Sequence, residues 1–518
     1  MSAVLDEWSW ALRALLKKHT PHWGGILGLI RGAEHRVRLK PGAVPVRKLP
    51  YKAEPLAWER EKAEVERLRS MEVIEPSTGK WASRVVMVPK PYCSVHFCID
   101  NRQLNVMTVK AAYPIPRMDE CIDIIGDARV MSTLDCNAGY WQTPVAENDK
   151  HLTAFTCHSG AWQCVRLPFG LCNCPATFQR AMDMNIAAVK WQICLVYLDD
   201  IIVFSRSPVE HLQHLNEVVT RIGKAGVTIK AAKCHFCQEE VEYLRHVIKP
   251  RRVHVLEKNL RALRGLRYPE TQTQMKSLLG MCGVYHRFVA DFAKIAKPVA
   301  ALTSTKIPKR LPLPRDEESK AFEELQGRLS AAPILALPRR DGHSIVNLDA
   351  SYEGLGGCLQ HQQPDGEYHP IGYYARALLP AEKHYFATEI EALGVVWAVT
   401  YLRSYLEGAE FLVLCDHRAL LSVLTNMSPN ARVNRWRLRL SEYTYEIRHK
   451  PGKDHKVADA LSPLPTEGLA STPLDGYPRP GRRDPGERRP GGRIAGRNTH
   501  GGANGPREHP RPSRGRVL

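Results

Sequence analysis

The stretch ICLVYLDDIIVFS (193–205) sets two adjacent carboxylates, Asp199 and Asp200, between two nearly continuous apolar, β-branched runs. The pattern predicts strand, tight turn, strand, with both aspartates at the tip. A two-residue hairpin turn favours Gly or Asn at positive φ, and this one has neither. Two negative charges on the lip of an apolar sheet repel each other and are costly to desolvate. A bound divalent cation removes both costs, so the reading is a metal site rather than an ordinary turn. A third carboxylate, Asp135, ends another short apolar strand within VMSTLDCNAGYWQ (130–142).

Outward from this hairpin, charged and apolar positions in AEPLAWEREKAEVERLRSM (53–71) read as a helix with an apolar stripe at Leu56, Val65 and Leu68. RVVMVPK (84–90) and FCIDNRQL (97–104) read as β-rich, 209–225 as helical, and 257–303 as helical and basic. The Pro- and Lys/Arg-rich KIPKRLPLPRDEE (306–318) reads as a joint between domains.

A second α/β block spans 343–465. Its four acids fall in suggestive places. Asp349 ends a strand in NLDAS, Glu391 opens the apolar part of a long helix, Asp416 ends the strand FLVLCD, and Asp459 starts a final helix in VADALS. Glu389 competes with Glu391, but two residues apart on a helix they face different ways. Beyond Pro465 the last 53 residues hold 11 Gly, 8 Pro and 11 Arg against 5 acids, too little apolar surface for a core, so a disordered tail is expected.

The 518 residues, 44% hydrophobic and 25% charged, suit three or four globular domains and exclude a disulfide-held mini-protein. The net charge of +19 suits a polyanionic partner. The 14 cysteines follow no framework, and Cys234 and Cys237 form a C-x-x-C with no second pair at zinc spacing. No run of about 18 apolar residues offers a membrane span, and MSAVLDEWSWALRALLKKH (1–19) lacks signal-peptide features, reading at most as a short amphipathic helix. The expectation is an intracellular protein of the cytoplasm or nucleus, not secreted and without a membrane partner.

In these motifs the chain resembles the polymerase of gypsy-type LTR retrotransposons, related to retroviral reverse transcriptases. The resemblance rests on YLDDIIVFS, LDCNAGYWQ, LPFGLCNCPATFQRAMD, NRQLN (101–105), LLGMCGVYHRFVADFAKIAKP, DASYEGLGGCLQ, CDHRAL and KPGKDHKVADALS, in colinear order over residues 35–465. It implies a multi-domain α/β (α+β) architecture, a right-hand polymerase of fingers, palm and thumb followed by a ribonuclease H-like mixed-sheet domain. The implied boundaries are an extension at 1–34, fingers and palm at 35–250, and a thumb-like helical region at 251–303. A connector at 304–342, the ribonuclease H-like domain at 343–465 and the tail at 466–518 follow.

The same resemblance implies RNA-directed DNA synthesis plus hydrolysis of RNA in RNA–DNA hybrids. The partners would be an RNA template, a DNA primer, the hybrid and dNTPs, with two Mg²⁺ in each site and Mn²⁺ as the alternative. Asp135, Asp199 and Asp200 take the polymerase metal positions. Asp349, Glu391, Asp416 and Asp459 take those of ribonuclease H, and His449 stands where a histidine aids product release. Tyr140 matches the residue that excludes a ribose 2′-hydroxyl, and Phe169 lies near the incoming nucleotide. Gly170, Pro175 and Gln179 support the template strand, while Lys90 contacts the triphosphate.

The pattern breaks in two places. KPYCSVHF (90–97) puts His96 where the family has an arginine that grips phosphates, losing a charge-assisted fork. In YLRH (243–246), Arg245 replaces a glycine beside the primer. These departures keep two further readings open: a ribonuclease H hydrolase with an impaired polymerase, and a nucleic-acid-binding remnant without turnover. Oligomeric state is not legible in the sequence.

Overall fold

The computed structural model describes residues 2–20, 23, 26–51, 54–89, 95–339, 342–424 and 430–450. Lys90, Asp459 and the 466–518 tail therefore lie outside the described residues. So do the side chains of Val95 and His96.

The chain opens with helix α1 (Ser2–Lys18), whose Leu12 and Leu15 reach the core beneath the acidic hairpin. Helix α2 (Pro55–Ser70) buries Val65 and Leu68 but leaves Leu56 exposed, so the apolar stripe is shorter than its periodicity suggested. A five-stranded sheet follows, built from β1 (Ile74–Pro76), β2 (Ser83–Pro89), β3 (Val95–Ile99), and later β5 (Phe155–Cys157) and β6 (Gly160–Cys164), in the order β1-β6-β5-β2-β3. Of the segment 97–104 only the first part is strand. Helix α3 (Arg102–Met107) takes the rest.

Helix α4 (Met118–Asp123) leads into β4 (Val130–Asp135). Strand β4 pairs antiparallel with β8 (Asp200–Ser205), which pairs with β7 (Cys194–Tyr197). With β9 (His235–Gln238) they form the antiparallel sheet expected for a palm, in the order β7-β8-β4-β9. Helices α5 (Cys174–Ile186) and α6 (Pro208–Lys224) cover one face, and Leu215, Val218, Val219 and Ile222 of α6 are fully buried there. Ser207 caps α6 by accepting the amide of Glu210, which fixes where the helix begins.

Strands β10 (Val241–Tyr243), β11 (His246–Lys249) and β12 (Arg252–Val255) form a further sheet, followed by α7 (Glu257–Arg264), α8 (Gln272–Val284) and α9 (Phe292–Ala301). The presumed joint is only partly irregular. At Asp316 it becomes helix α10 (Asp316–Ser330), which buries Ala321, Phe322, Leu325 and Leu329. Strand β13 (Leu335–Ala336) then pairs with β12. Proline and charge set the tone of 306–318, but the apolar spacing downstream dictates packing against α7 and α9.

The last sheet runs β16-β15-β14-β17-β18, from β14 (Ser344–Ser351), β15 (Gly354–Gln362), β16 (Tyr368–Ala377), β17 (Glu410–Cys415) and β18 (Thr444–His449). Its first three strands are antiparallel, while β14–β17 and β17–β18 are parallel, so it is mixed. Parallel pairs need crossovers, supplied by α11 (Ala387–Tyr401) with α12 (Arg403–Leu406), and by α13 (Leu420–Val423) with α14 (Ala431–Leu440). No described helix is long and apolar enough to cross a membrane.

Phe322→Ala should lower the unfolding free energy by about 3–5 kcal/mol, the cost of emptying an aromatic core position. Urea denaturation checks this, and a solvated linker residue would leave the midpoint unchanged.

Candidate active sites

The backbone places the first set of acids. Asp135 and Asp200 are direct partners across β4 and β8. The turn before them is tighter than the sequence suggested. Its residues are Leu198 and Asp199, with Leu198 at φ 54°, and Asp200 already belongs to the strand. A β-carbon pays for that conformation, so something must hold it. Gln179 does, accepting the amide of Leu198 at 2.8 Å and donating to the carbonyl of Val196 at 2.9 Å. Gln179 is fully buried. Expected on the loop and helix that support the template strand, Gln179 braces the acidic turn from inside the protein.

Asp199 has one carboxylate oxygen, Oδ1, that is buried without a hydrogen-bond partner. Burial, then the charges of Asp200 and Asp135, push its pKa up to about 6. Asp200 is raised by burial and then by the charge of Asp135. A β-carbon at Gly139 would stand 2.2 Å from that orphan oxygen, so only glycine leaves room for it. Asp135 is held differently. Lys233, from the turn before β9, donates to both of its oxygens at 2.9 and 3.2 Å. Among the described residues no three His, Cys, Asp or Glu side chains stand close enough to hold one metal ion as they are. The Lys233 ammonium is more than half exposed, however, and such a pair contributes at most about 1 kcal/mol, so a stronger cation can displace it. The donors are all carboxylate oxygens, which suits Mg²⁺ or Mn²⁺.

An open cleft of about 780 Å³ runs from Asp135 and Asp200 past Lys233 and Arg245 to Tyr285. On the other side of Asp199, Tyr140 packs between Phe169 (centroids 5.1 Å apart) and Phe178 (5.6 Å). Phe169 remains 40% exposed, so this aromatic pair offers a ring to the solvent. Gly170 adopts φ 93°, and its carbonyl accepts from Asn105 at 2.8 Å. Pro175 begins α5 in the first turn, where its missing N–H costs nothing. Leu244 and Arg245 form the two-residue turn between β10 and β11, both at positive φ (46° and 67°), and Tyr285 donates to the Arg245 carbonyl at 3.0 Å. This is a turn that favours Gly or Asn, occupied by two residues with side chains.

The second set lies on the mixed sheet. Strand β14 runs parallel to β17 with Asn347 opposite Leu414, so two residues further along, Asp349 and Asp416 are level. Glu391 reaches them from α11. Burial, then Asp416 and Asp349, push its pKa up to about 7. The helix can approach because residue 394 is glycine: a β-carbon there would stand 3.1 Å from that of Ala350. Glu389 faces away and is fully occupied, accepting from Asn430 at 2.6 Å, Arg432 at 3.0 Å and the Phe386 amide at 3.0 Å. His449, at the end of β18, lies 3.1 Å through Nε2 from the Asp416 carbonyl, beside the acids but on an exposed surface.

Residues 88–248 match the reverse transcriptase (RNA-dependent DNA polymerase) family, and residues 340–443 match the RNase H-like domain found in reverse transcriptase. Fold and acids together define a right-hand polymerase joined to a ribonuclease H-like domain. More narrowly, the chain is similar to the Pol polyproteins of gypsy-type retrotransposons over its reverse transcriptase and RNase H-like domains. It is 35% identical over 409 residues to the retrovirus-related Pol polyprotein from transposon 297 of Drosophila melanogaster, covering 78% of this chain and 38% of that protein. It is 30% identical over 426 residues to the Pol polyprotein from transposon gypsy of the same organism, covering 79% and 41%. The chain thus spans about two fifths of the length of these curated relatives. Among solved structures, the foamy viral protease-reverse transcriptase in complex with dsDNA shares the fold at TM-score 0.72 and 22% identity, covering 86% of this chain and 94% of that one. The same viral protein in complex with RNA/DNA hybrid does so at 0.69 and 21%, covering 91% and 63%.

Two outcomes test these environments. Arg245→Gly relieves a left-handed backbone and should stabilise the chain by about 1 kcal/mol, read from the urea midpoint. Because the folded pKa of Glu391 lies near 7 rather than its ordinary 4.5, the folded chain binds that proton more tightly than the unfolded chain. In chelator, stability should fall as pH rises from about 4.5 to 7, and Glu391→Gln should flatten that slope. An unchanged slope would mean the glutamate is not crowded by its neighbours.

Proposed function

We propose that this chain is an RNA- and DNA-templated DNA polymerase that also hydrolyses the RNA of RNA–DNA hybrids, with a divalent-metal site in each half. The observation that carries the reading is the buried, unpartnered Oδ1 of Asp199 beside two further carboxylates. Lys233 pairs with Asp135 alone, so the like charge left at Asp199 and Asp200 is a cost that a bound cation would return. Membership in the reverse transcriptase and RNase H-like families supports it. So does the likeness to a viral reverse transcriptase whose structures hold dsDNA and RNA/DNA hybrid.

Asp135, Asp199 and Asp200 would hold the metal of the synthetic site, and Asp349, Glu391, Asp416 and Asp459 that of the hydrolytic one, with Mg²⁺ the natural occupant and Mn²⁺ the alternative. A divalent ion bound there activates an attacking hydroxyl or water and steadies the charge on the phosphate. The chain's own residues do the positioning. Tyr140, wedged between Phe169 and Phe178, gives a rigid wall against which a deoxyribose fits and a 2′-hydroxyl collides. Phe169 and Gly170 form the exposed side of that pocket, and Lys90 would meet the triphosphate. Lys233 neutralises Asp135 and competes with any cation for it. In the second site the protonatable Glu391 leans on Asp349 and Asp416, and His449 stands where it can help a product leave.

An impaired polymerase with an intact hydrolase is the second reading. It is favoured by Arg245, whose strained turn and side chain line the cleft through which a primer would pass. In a paired assay of primer extension and hybrid cleavage with and without Mg²⁺, Asp199→Asn should remove synthesis alone and Asp349→Asn cleavage alone. Each loss should be on the order of 10²–10³-fold, the scale of losing one electrostatic stabiliser of a transition state. A single change that abolishes both activities would overturn the assignment of two sites. Cleavage without synthesis in the unaltered chain, with synthesis gained in Arg245→Gly, would select the second reading.

A further inference from the structure

The segment between α8 and α9 carries an arginine that the proposed chemistry does not use. Arg287, in the short 3-10 turn His286–Phe288, is 2% exposed. Its Nη2 donates at 3.0 Å to Oδ1 of Asp123, the last residue of α4 in the polymerase half. The same nitrogen donates at 2.9 Å to the carbonyl of Ile371 on β16 of the mixed sheet. The other oxygen of Asp123 accepts the hydroxyl of Tyr405, from α12 of the ribonuclease H-like half. One buried carboxylate is thus gripped from both sides by groups 164 and 282 residues away.

A buried ion pair is a poor source of stability, because desolvating both charges consumes most of their attraction. What it supplies is direction. The apolar contact around it is extensive: Tyr285, Phe288 and Val299 share a single core with Cys358 and Tyr373 of the mixed sheet. Apolar burial is non-directional, however, and by itself would let one surface slide over the other. Nη2 of Arg287 bridges the Asp123 carboxylate and the Ile371 carbonyl in one pose only, since a shift of a few ångströms leaves a guanidinium and a carboxylate unpaired and dry. The Lys294–Glu353 pair at 2.7 Å is exposed, and pairs of this kind contribute little.

The geometry points to Arg287, Asp123 and Tyr405 as positioning residues that lock the ribonuclease H-like sheet onto the polymerase, so that the two sites act on one hybrid at a fixed separation. The inference rests on the two-activity reading above. Its test uses the full chain with Tyr405→Phe, which removes one hydroxyl, and Arg287→Lys, which keeps the charge but loses the planar guanidinium whose Nη2 reaches both partners. Two quantities are read: deuterium uptake of β16 and α12, and the lengths of RNA left between the cut and the primer 3′ end during stalled synthesis. The unaltered chain should leave a narrow set of lengths. The variants should broaden that set at least twofold and raise uptake in both elements, while primer extension and cleavage of a hybrid without a primer end stay within twofold. Equally narrow cuts in both variants, or a broad set from the unaltered chain, would overturn the lock. If the chain proves inactive, the function proposed above fails, and uptake alone decides: unchanged exchange in Tyr405→Phe overturns the lock. Should Arg287→Lys fail to fold, Asp123→Asn replaces it on the same two readouts.

Discussion

Like-charge repulsion among aspartates at the end of an apolar sheet is the constraint on which this structure turns. The β4–β8 pairing sets Asp135 against Asp200, and a left-handed turn at Leu198 brings Asp199 beside them. Each of these placements costs energy in the isolated hairpin. The protein around it is arranged to hold them: Gln179 braces the turn from α5, Gly139 vacates space for a carboxylate oxygen, and Lys233 supplies a displaceable counter-charge. The second site repeats the same physics on a different sheet. There Gly394 lets a helix approach a strand closely, and Glu391 takes up the electrostatic strain in a raised pKa.

The two sites belong to one packed body rather than to beads on a string. The connector expected at 304–342 contributes helix α10 to the core, and that core continues into the mixed sheet through Cys358 and Tyr373.

The departures from the family pattern differ in physical weight. At Arg245 the backbone itself is in the conformation that glycine serves best, and its side chain borders the cleft. That is a local penalty of about 1 kcal/mol and a steric question for the primer, not a loss of the acidic machinery. The acidic cluster and the border of the cleft are thus separate features of the structure.

Much of this was legible in the residues. Apolar runs flanking paired acids predict a hairpin, and ordered acids at strand ends predict a second site, because burial patterns and charge are local properties. The choice of Glu391 over Glu389 came from the family resemblance, in which the glutamate directly precedes the apolar helical run. The sequence did not show that Gln179 would turn inward, that Lys233 would reach Asp135 across 98 residues, or that Leu198 would carry the positive φ. Nor did it show that Arg287 would join two halves of the chain through Asp123. Hydrogen bonds and ion pairs between distant segments depend on which surfaces meet, and that is decided only when the sheets pack.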